Sequence, residues 1–108
     1  MKIIEFKWED YSNYKDFYLD IFKKLDGNSL DYFNKSKLQD LRYDADLLYE
    51  FLWYYGEYNL ELVFIGFDLD FIKKDDSYNA HGWRLIFKAI REFIKDFPNN
   101  KISFVDKI

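Results

Sequence analysis

Two hydrophobic periods alternate along this chain, and their order constrains the fold more than any other feature. Residues 2–8 alternate, with Ile4 and Phe6 on one side and charged residues on the other, which is typical of a strand. Over residues 14–25 the apolar side chains instead recur every three or four positions, which predicts a helix. Asp26-Gly27-Asn28 is a typical helix end. The chain therefore begins with a strand followed by a helix.

A second helix and a second strand are predicted in the middle of the chain. The helix begins at Ser36, which has Gln39 three positions later in a capping-box pattern, and it ends near Tyr55. Its expected buried stripe consists of Leu38, Leu41, Ala45, Leu48 and Leu52. The strand, residues 60–67, is apolar on both faces after Glu61, which is typical of a strand covered by helices.

A third long helix and a last strand complete the predicted order. The helix begins near Asn79 and ends before Pro98, and residues 101–105 form the strand. The expected core stripe of this helix comprises Trp83, Phe87, Ile90, Ile94 and Phe97, widened by Ile86, Ala89 and Phe93. The acidic stretch 67–77 has room for a short helix.

The resulting order of elements is β-α-α-β-α-β. Helical crossovers between successive strands imply a parallel sheet with helices packed on it. We therefore expect an α/β fold and one small domain over residues 1–108. It should contain a three-stranded parallel sheet on which the first and third long helices pack.

The composition excludes several classes of protein. The chain has no cysteine, which removes disulfide frameworks, cysteine zinc ligands and thiol nucleophiles. Its 23% of aromatic residues and single proline are typical of a folded domain and not of a disordered one. No apolar run reaches the roughly 20 residues of a membrane span, and charges within the first seven residues argue against a secretory signal. We expect a cytoplasmic protein with no membrane partner.

Negative charge is concentrated in the middle of the chain. The formal net charge is −4, and between residues 39 and 61 six acids stand against Arg42 alone. An acidic protein is a poor candidate for direct nucleic-acid binding, because phosphate contacts need lysine and arginine. The acidic balance favours a basic partner instead.

The outward face of the second helix combines acids with large aromatic residues. At 100° per residue, the side opposite the leucines carries Tyr43, Asp46, Glu50, Trp53 and Tyr54. Asp46 and Glu50 are one turn apart, and their like charges repel. Such a face is typical of a contact surface for a cationic partner. The alternative interpretation is a solvated helix face whose aromatics tuck under neighbouring loops.

The same helix and the strand after it resemble the barstar family. In that family a helix of the form Asp-x-Leu-Trp/Tyr-Asp/Glu-x-Leu leads into an apolar strand. The corresponding residues here are Ala45-Asp46-Leu47-Leu48-Tyr49-Glu50-Phe51-Leu52, continued by Glu57-Tyr58 and Leu60-Glu61-Leu62. The order of elements is also similar, as is Ile90-Arg91-Glu92-Phe93 in the last helix. Barstar-like proteins are intracellular inhibitors that plug the basic substrate groove of a ribonuclease with an acidic helix and the loop before it.

The resemblance implies a barstar-like fold and an inhibitor, or immunity protein, of a ribonuclease such as a nuclease toxin. It places Asp46 and Glu50 at the two acidic contact positions of the helix, and Glu92 at an acidic position of the last helix that supports the same interface. The family often has Tyr-Gly-x-Asn before this helix, where this chain has Leu41-Arg42-Tyr43-Asp44. The resemblance therefore does not assign the target. The expected partner-binding residues are Tyr43, Asp44, Asp46, Glu50, Trp53, Tyr54 and Glu92.

Other patterns that could carry chemistry favour ordinary structural roles. The aspartates between residues 68 and 76 lack the glycine and terminal glutamate of a calcium loop, which favours an acidic surface loop over a metal site. His81, the only histidine, fits a position at the start of the last helix. With no nucleophile, phosphate-loop or cofactor motif, we expect neither an enzyme nor a cofactor. A non-inhibitory interaction domain of the same fold, bound to another basic partner, is the alternative function, and a small enzyme ranks last.

Overall fold

Three parallel strands and four α-helices form the part of the chain that the computed structural model describes, which is residues 2–25, 45–53 and 59–106. In chain order the elements are β1 (Lys2–Lys7), a 3-10 turn (Trp8–Asp10), α1 (Tyr14–Leu25), α2 (Ala45–Trp53), β2 (Leu60–Ile65), α3 (Leu69–Lys74), α4 (Tyr78–Asp96) and β3 (Lys101–Val105). The predicted order of strands and long helices is confirmed, and α3 is the short helix of the acidic stretch. The predicted limits of the second helix, Ser36 and Tyr55, lie outside the described residues.

The sheet has the strand order β1-β2-β3, and both strand pairs are parallel. The register aligns Phe6, Phe64 and Phe104, whose rings stack on one face at centroid separations of 5.2 and 5.4 Å. On this inner face, the ring centroid of Phe17 on α1 lies 4.8 Å from that of Phe6. The ring centroid of Phe87 on α4 lies 5.0 Å from that of Phe64. The prediction that the first and third long helices pack on an all-parallel sheet is confirmed.

The two faces of β2 differ in burial. Leu60, Leu62 and Phe64 are buried in the core, whereas Val63 and Ile65 on the opposite face are half-buried. The helices α1 and α4 cover the inner face. Since β2 is the central strand, its neighbours β1 and β3 flank Val63 and Ile65 on the outer face.

Both β1 and β2 are shorter than predicted. The 3-10 turn begins at Trp8, which the alternation had assigned to β1. β2 stops before Gly66, whose φ of 71° takes the chain out of the strand in a conformation that other residues rarely adopt. After these turns, Trp8 and Phe67 lie against Trp83 of α4 at ring separations of 5.2 and 5.5 Å. Aromatic side chains therefore pack against one another just beyond the carboxyl ends of β1 and β2.

Capping side chains define where α3 and α4 begin. The Asp68 carboxylate accepts a hydrogen bond from the Phe71 amide, and the Ser77 hydroxyl accepts one from the Ala80 amide. Because Ser77 is the cap, α4 begins at Tyr78, one residue before the predicted start.

The helix spacings predicted most of the core. Every apolar residue expected on α1 is buried, namely Tyr14, Phe17, Tyr18, Ile21, Phe22 and Leu25. On α4 the buried residues include Trp83, Ile86, Phe87, Ala89, Ile90 and Phe93. Ile94 and Phe97, expected in the central stripe, are only half-buried, and Phe97 lies just after the end of α4. No helix in the described ranges is long and apolar enough to cross a membrane.

A glycine, Gly82, and a polar residue, Asn100, connect the helices and strands around this core. A Cβ at Gly82 of α4 would lie 2.4 Å from the Tyr14 ring, so the glycine allows α1 to approach α4 closely. Asn100 is buried, and its side chain accepts from the Leu60 amide at 2.9 Å and donates to the Phe97 carbonyl at 3.0 Å. Asn100 therefore ties the end of α4 to the start of β2.

Candidate functional site

α2 directs its leucines inward and its acids outward, as the helical spacing predicts. Leu48 and Leu52 are completely buried, while Asp46, Glu50 and Trp53 are exposed. Trp53 keeps 55% of its surface accessible, although it is one of the largest apolar side chains of the protein. The predicted orientation of this helix is confirmed, and its outward face combines two carboxylates with an indole.

Contacts with α1 and α4 hold α2 in this orientation. Phe51 is buried, and its ring lies 4.4 Å from that of Phe22 on α1. On the other side, the Tyr49 hydroxyl donates a hydrogen bond to the carboxylate of Asp96 at the end of α4. The spacing of the leucines did not predict these contacts of Phe51 and Tyr49. The large aromatic residue at each edge of the leucine stripe could have indicated them.

The hydrogen bond between Tyr49 and Asp96 also fixes the protonation of the phenol. It raises the pKa of Tyr49 above its usual 10, and partial desolvation and the nearby charges of Asp96 and Glu92 act in the same direction. The hydroxyl therefore keeps its proton, and its role as a donor, throughout the physiological pH range.

A surface groove of about 240 Å³ lies between α2 and α4. Its lining consists of Ala45, Asp46 and Tyr49 from α2, and Leu85, Lys88, Ala89 and Glu92 from α4. The groove thus brings together Asp46 and Glu92, two predicted contact residues that are distant in the chain. Ala45 and Ala89 contribute small apolar side chains to the lining, and each helix contributes one carboxylate.

Exposed carboxylates continue beyond the groove along α2. Glu50 follows Asp46 by one helical turn on the exposed side. Within the described ranges, neither Glu50 nor Glu92 takes part in an ion pair, and the ion pairs found there join Asp20 to Lys24 and Asp70 to Lys74. Exposed carboxylates of this kind can accept charge-assisted hydrogen bonds from arginine or lysine side chains of a partner.

Four of the seven predicted partner-binding residues therefore belong to one surface. Asp46, Glu50 and Trp53 lie on the outward side of α2, and Glu92 faces Asp46 across the groove. The other three, Tyr43, Asp44 and Tyr54, lie outside the described residues. We call the four residues Asp46, Glu50, Trp53 and Glu92 the acidic surface.

Asp68, Asp70 and Asp75, three of the aspartates around α3, have local structural partners. Asp68 caps α3, and Asp70 forms an exposed ion pair with Lys74. Asp75 accepts a hydrogen bond from the Ser77 amide, and hydrogen bonding to Ser77 lowers the pKa of that carboxyl. In the described part of the chain, no three His, Cys, Asp or Glu side chains are grouped closely enough to hold a metal ion.

The position of His81 agrees with its interpretation as a residue at the start of a helix. It lies in the first turn of α4, where its amide donates to the Ser77 carbonyl, and its side chain is exposed.

Comparison of the chain with family models, with curated proteins and with solved structures found no match.

Proposed function

We propose that this protein is a barstar-like inhibitor that blocks the basic active site of a ribonuclease, such as a nuclease toxin, with the acidic surface. The observation that carries the proposal is the grouping of Asp46, Glu50 and Glu92, three exposed carboxylates contributed by two helices. Asp46 and Glu92 line one groove, and Glu50 follows Asp46 by one turn on the exposed side of α2.

The inhibition follows from mimicry of the substrate. A ribonuclease binds the phosphates of RNA with arginine and lysine side chains, and carboxylates of the inhibitor occupy the same positions. Complementary fields also accelerate association, to about 10⁸–10⁹ M⁻¹s⁻¹ at low salt for the fastest protein pairs. The acidic surface therefore contributes to both recognition and rate.

Trp53 supplies the apolar part of the proposed contact. Exposed tryptophans are enriched among the residues that dominate binding energy, because one side chain buries a large area with little loss of entropy. Trp53 lies on the same side of α2 as the two acids, and its ring centroid lies 6.3 Å from that of Phe97, the residue that follows α4. A partner that covers Asp46 and Glu50 would cover this indole as well.

The proposal includes a barstar-like fold and a cytoplasmic location, and it needs no cofactor. The parallel order β1-β2-β3 and the packing of Leu48 and Leu52 beneath the acidic side of α2 support the fold. The helix-to-strand motif and Glu92 supply the resemblance on which the assignment of ribonuclease as the target class depends.

The test is a titration of basic ribonucleases, beginning with any encoded beside the gene, with the purified protein. RNA cleavage should fall to zero near a one-to-one ratio of protein to ribonuclease. Binding of a basic protein without loss of cleavage would support the alternative, a non-inhibitory interaction domain. Cleavage of RNA by the chain alone would contradict the proposal and indicate an enzyme.

A further inference from the structure

Among the described residues that line the groove, Lys88 is the only cation. It precedes Glu92 by one turn of α4, and Asp46 lines the same groove from α2. The side chain is exposed, and within the described ranges it forms no ion pair with either carboxylate. The groove therefore contains a positive charge of its own beside the acids that are proposed to bind a cationic partner.

Such a charge has a definite effect on any cation that enters the groove. A guanidinium or ammonium group is attracted by Asp46 and Glu92 and is repelled by Lys88. Like charges brought together at an interface suppress the partners that carry them, which is a common basis of specificity. The apolar residues Leu85 and Ala89 on the same wall offer no compensating charge.

We propose that Lys88 is a specificity-determining residue, which repels cationic groups on the α4 side of the groove and selects partners whose cations lie on the α2 side, over Asp46 and Glu50. This inference rests on the proposed function, because it concerns the same acidic surface. It assigns the partner a distinct arrangement of charge. Arginine or lysine side chains lie along the outward side of α2, and no cation faces Lys88.

The test compares two substitutions on α4 that remove the same charge. Lys88→Gln removes the cation in the groove, and Lys95→Gln removes an exposed cation that does not line it. The probe is a tetra-arginine peptide, titrated into each full-length variant at low and high salt. This probe measures attraction for guanidinium groups without requiring the target ribonuclease.

We expect Lys88→Gln to bind the peptide about 3- to 10-fold more tightly than the wild type at low salt, and Lys95→Gln to gain less than about twofold. The difference should shrink at high salt, because ions screen exposed charges. Circular-dichroism melts check that both variants are folded.

The companion variants Asp46→Asn and Glu92→Gln separate the two proposals. If they weaken peptide binding while Lys88→Gln and Lys95→Gln behave alike, the proposed role of Lys88 is wrong and the acidic surface stands. If none of the four variants changes peptide binding, both proposals are wrong. If Lys88→Gln strengthens peptide binding but no basic ribonuclease is inhibited by the wild type, the proposed function alone is overturned.

Discussion

Leu48 and Asp46 stand two positions apart on α2 and face opposite environments. Leu48 has no accessible surface, and Asp46 is exposed beside the groove. At the scale of single residues, this contrast separates what the fold requires from what binding requires. A carboxylate on the outward side can change without cost to the core, whereas a leucine on the inward side cannot.

Truncation of these two residues should therefore have different effects on stability. Leu48→Ala should lower the free energy of unfolding by roughly 2–5 kcal/mol, since it removes buried methyl groups and leaves a cavity. Asp46→Ala should change it by less than about 0.5 kcal/mol, as is usual for surface substitutions. Urea unfolding of both variants measures the difference. Equal losses would mean that α2 is rotated from the orientation described above.

At the scale of elements, the position of α2 against α4 determines whether Asp46 and Glu92 share a groove. The hydrogen bond from Tyr49 to Asp96 spans the two helices. It therefore joins the helix that carries Asp46 and Glu50 to the end of α4. Its pH dependence follows from the raised pKa of the phenol.

Tyr49 should ionise above pH 10, and Asp96→Asn should bring its pKa back toward 10, because the carboxylate is the main cause of the shift. Because folding raises the pKa of Tyr49, the protonated phenol stabilises the fold at any pH below the pKa of this group in the unfolded chain. That contribution is lost only as the pH rises through the folded pKa, so the contact is intact at neutral pH. NMR of ¹³C-labelled tyrosine, with Tyr49→Phe to assign the signal, follows the titration. An unchanged pKa in Asp96→Asn would show that the hydrogen bond is not the cause.

The sequence predicted the elements better than it predicted the contacts between them. Helical spacing identified the buried side of α2 because Leu48 and Leu52 recur at a period that local geometry imposes. The strand ends were less accurate, since the apolar run of the second strand continues past the point where Gly66 adopts a positive φ. The groove could not be predicted from spacing, because it depends on how α2 packs against α4, which is distant in the chain. Glu92 was placed beside Asp46 by the family resemblance alone.

At the scale of the whole molecule, the two helices that meet at the groove carry opposite balances of charge. The sequence around α2 is strongly acidic, and α4 carries Arg84, Lys88, Arg91 and Lys95 against Glu92 and Asp96. Arg84 is turned toward the end of α3, where its guanidinium donates to the carbonyls of Ile72 and Asp75. The acidic surface is therefore a local feature at the junction of α2 and α4, and the overall charge of −4 does not describe it.

In the function proposed above, the acidic surface, and not the negative charge of the whole protein, binds the partner. Two double variants separate these possibilities, because each changes the net charge by the same amount. Asp46→Lys with Glu50→Lys reverses the acids of α2. Asp70→Lys with Asp76→Lys reverses two exposed acids near α3.

The most direct measurement is a binding titration of both double variants against a ribonuclease identified by the inhibition test proposed above, with a circular-dichroism melt of each. Reversing the α2 acids should raise Kd by roughly 30-fold or more, since truncating even one partner of a buried interfacial charge pair costs about 2–5 kcal/mol. The melt should be nearly unchanged, because Asp46 and Glu50 lie on the exposed side of α2. The α3 variant should bind almost as the wild type does. An unchanged Kd for the α2 variant, or a loss of binding confined to the α3 variant, would contradict the account.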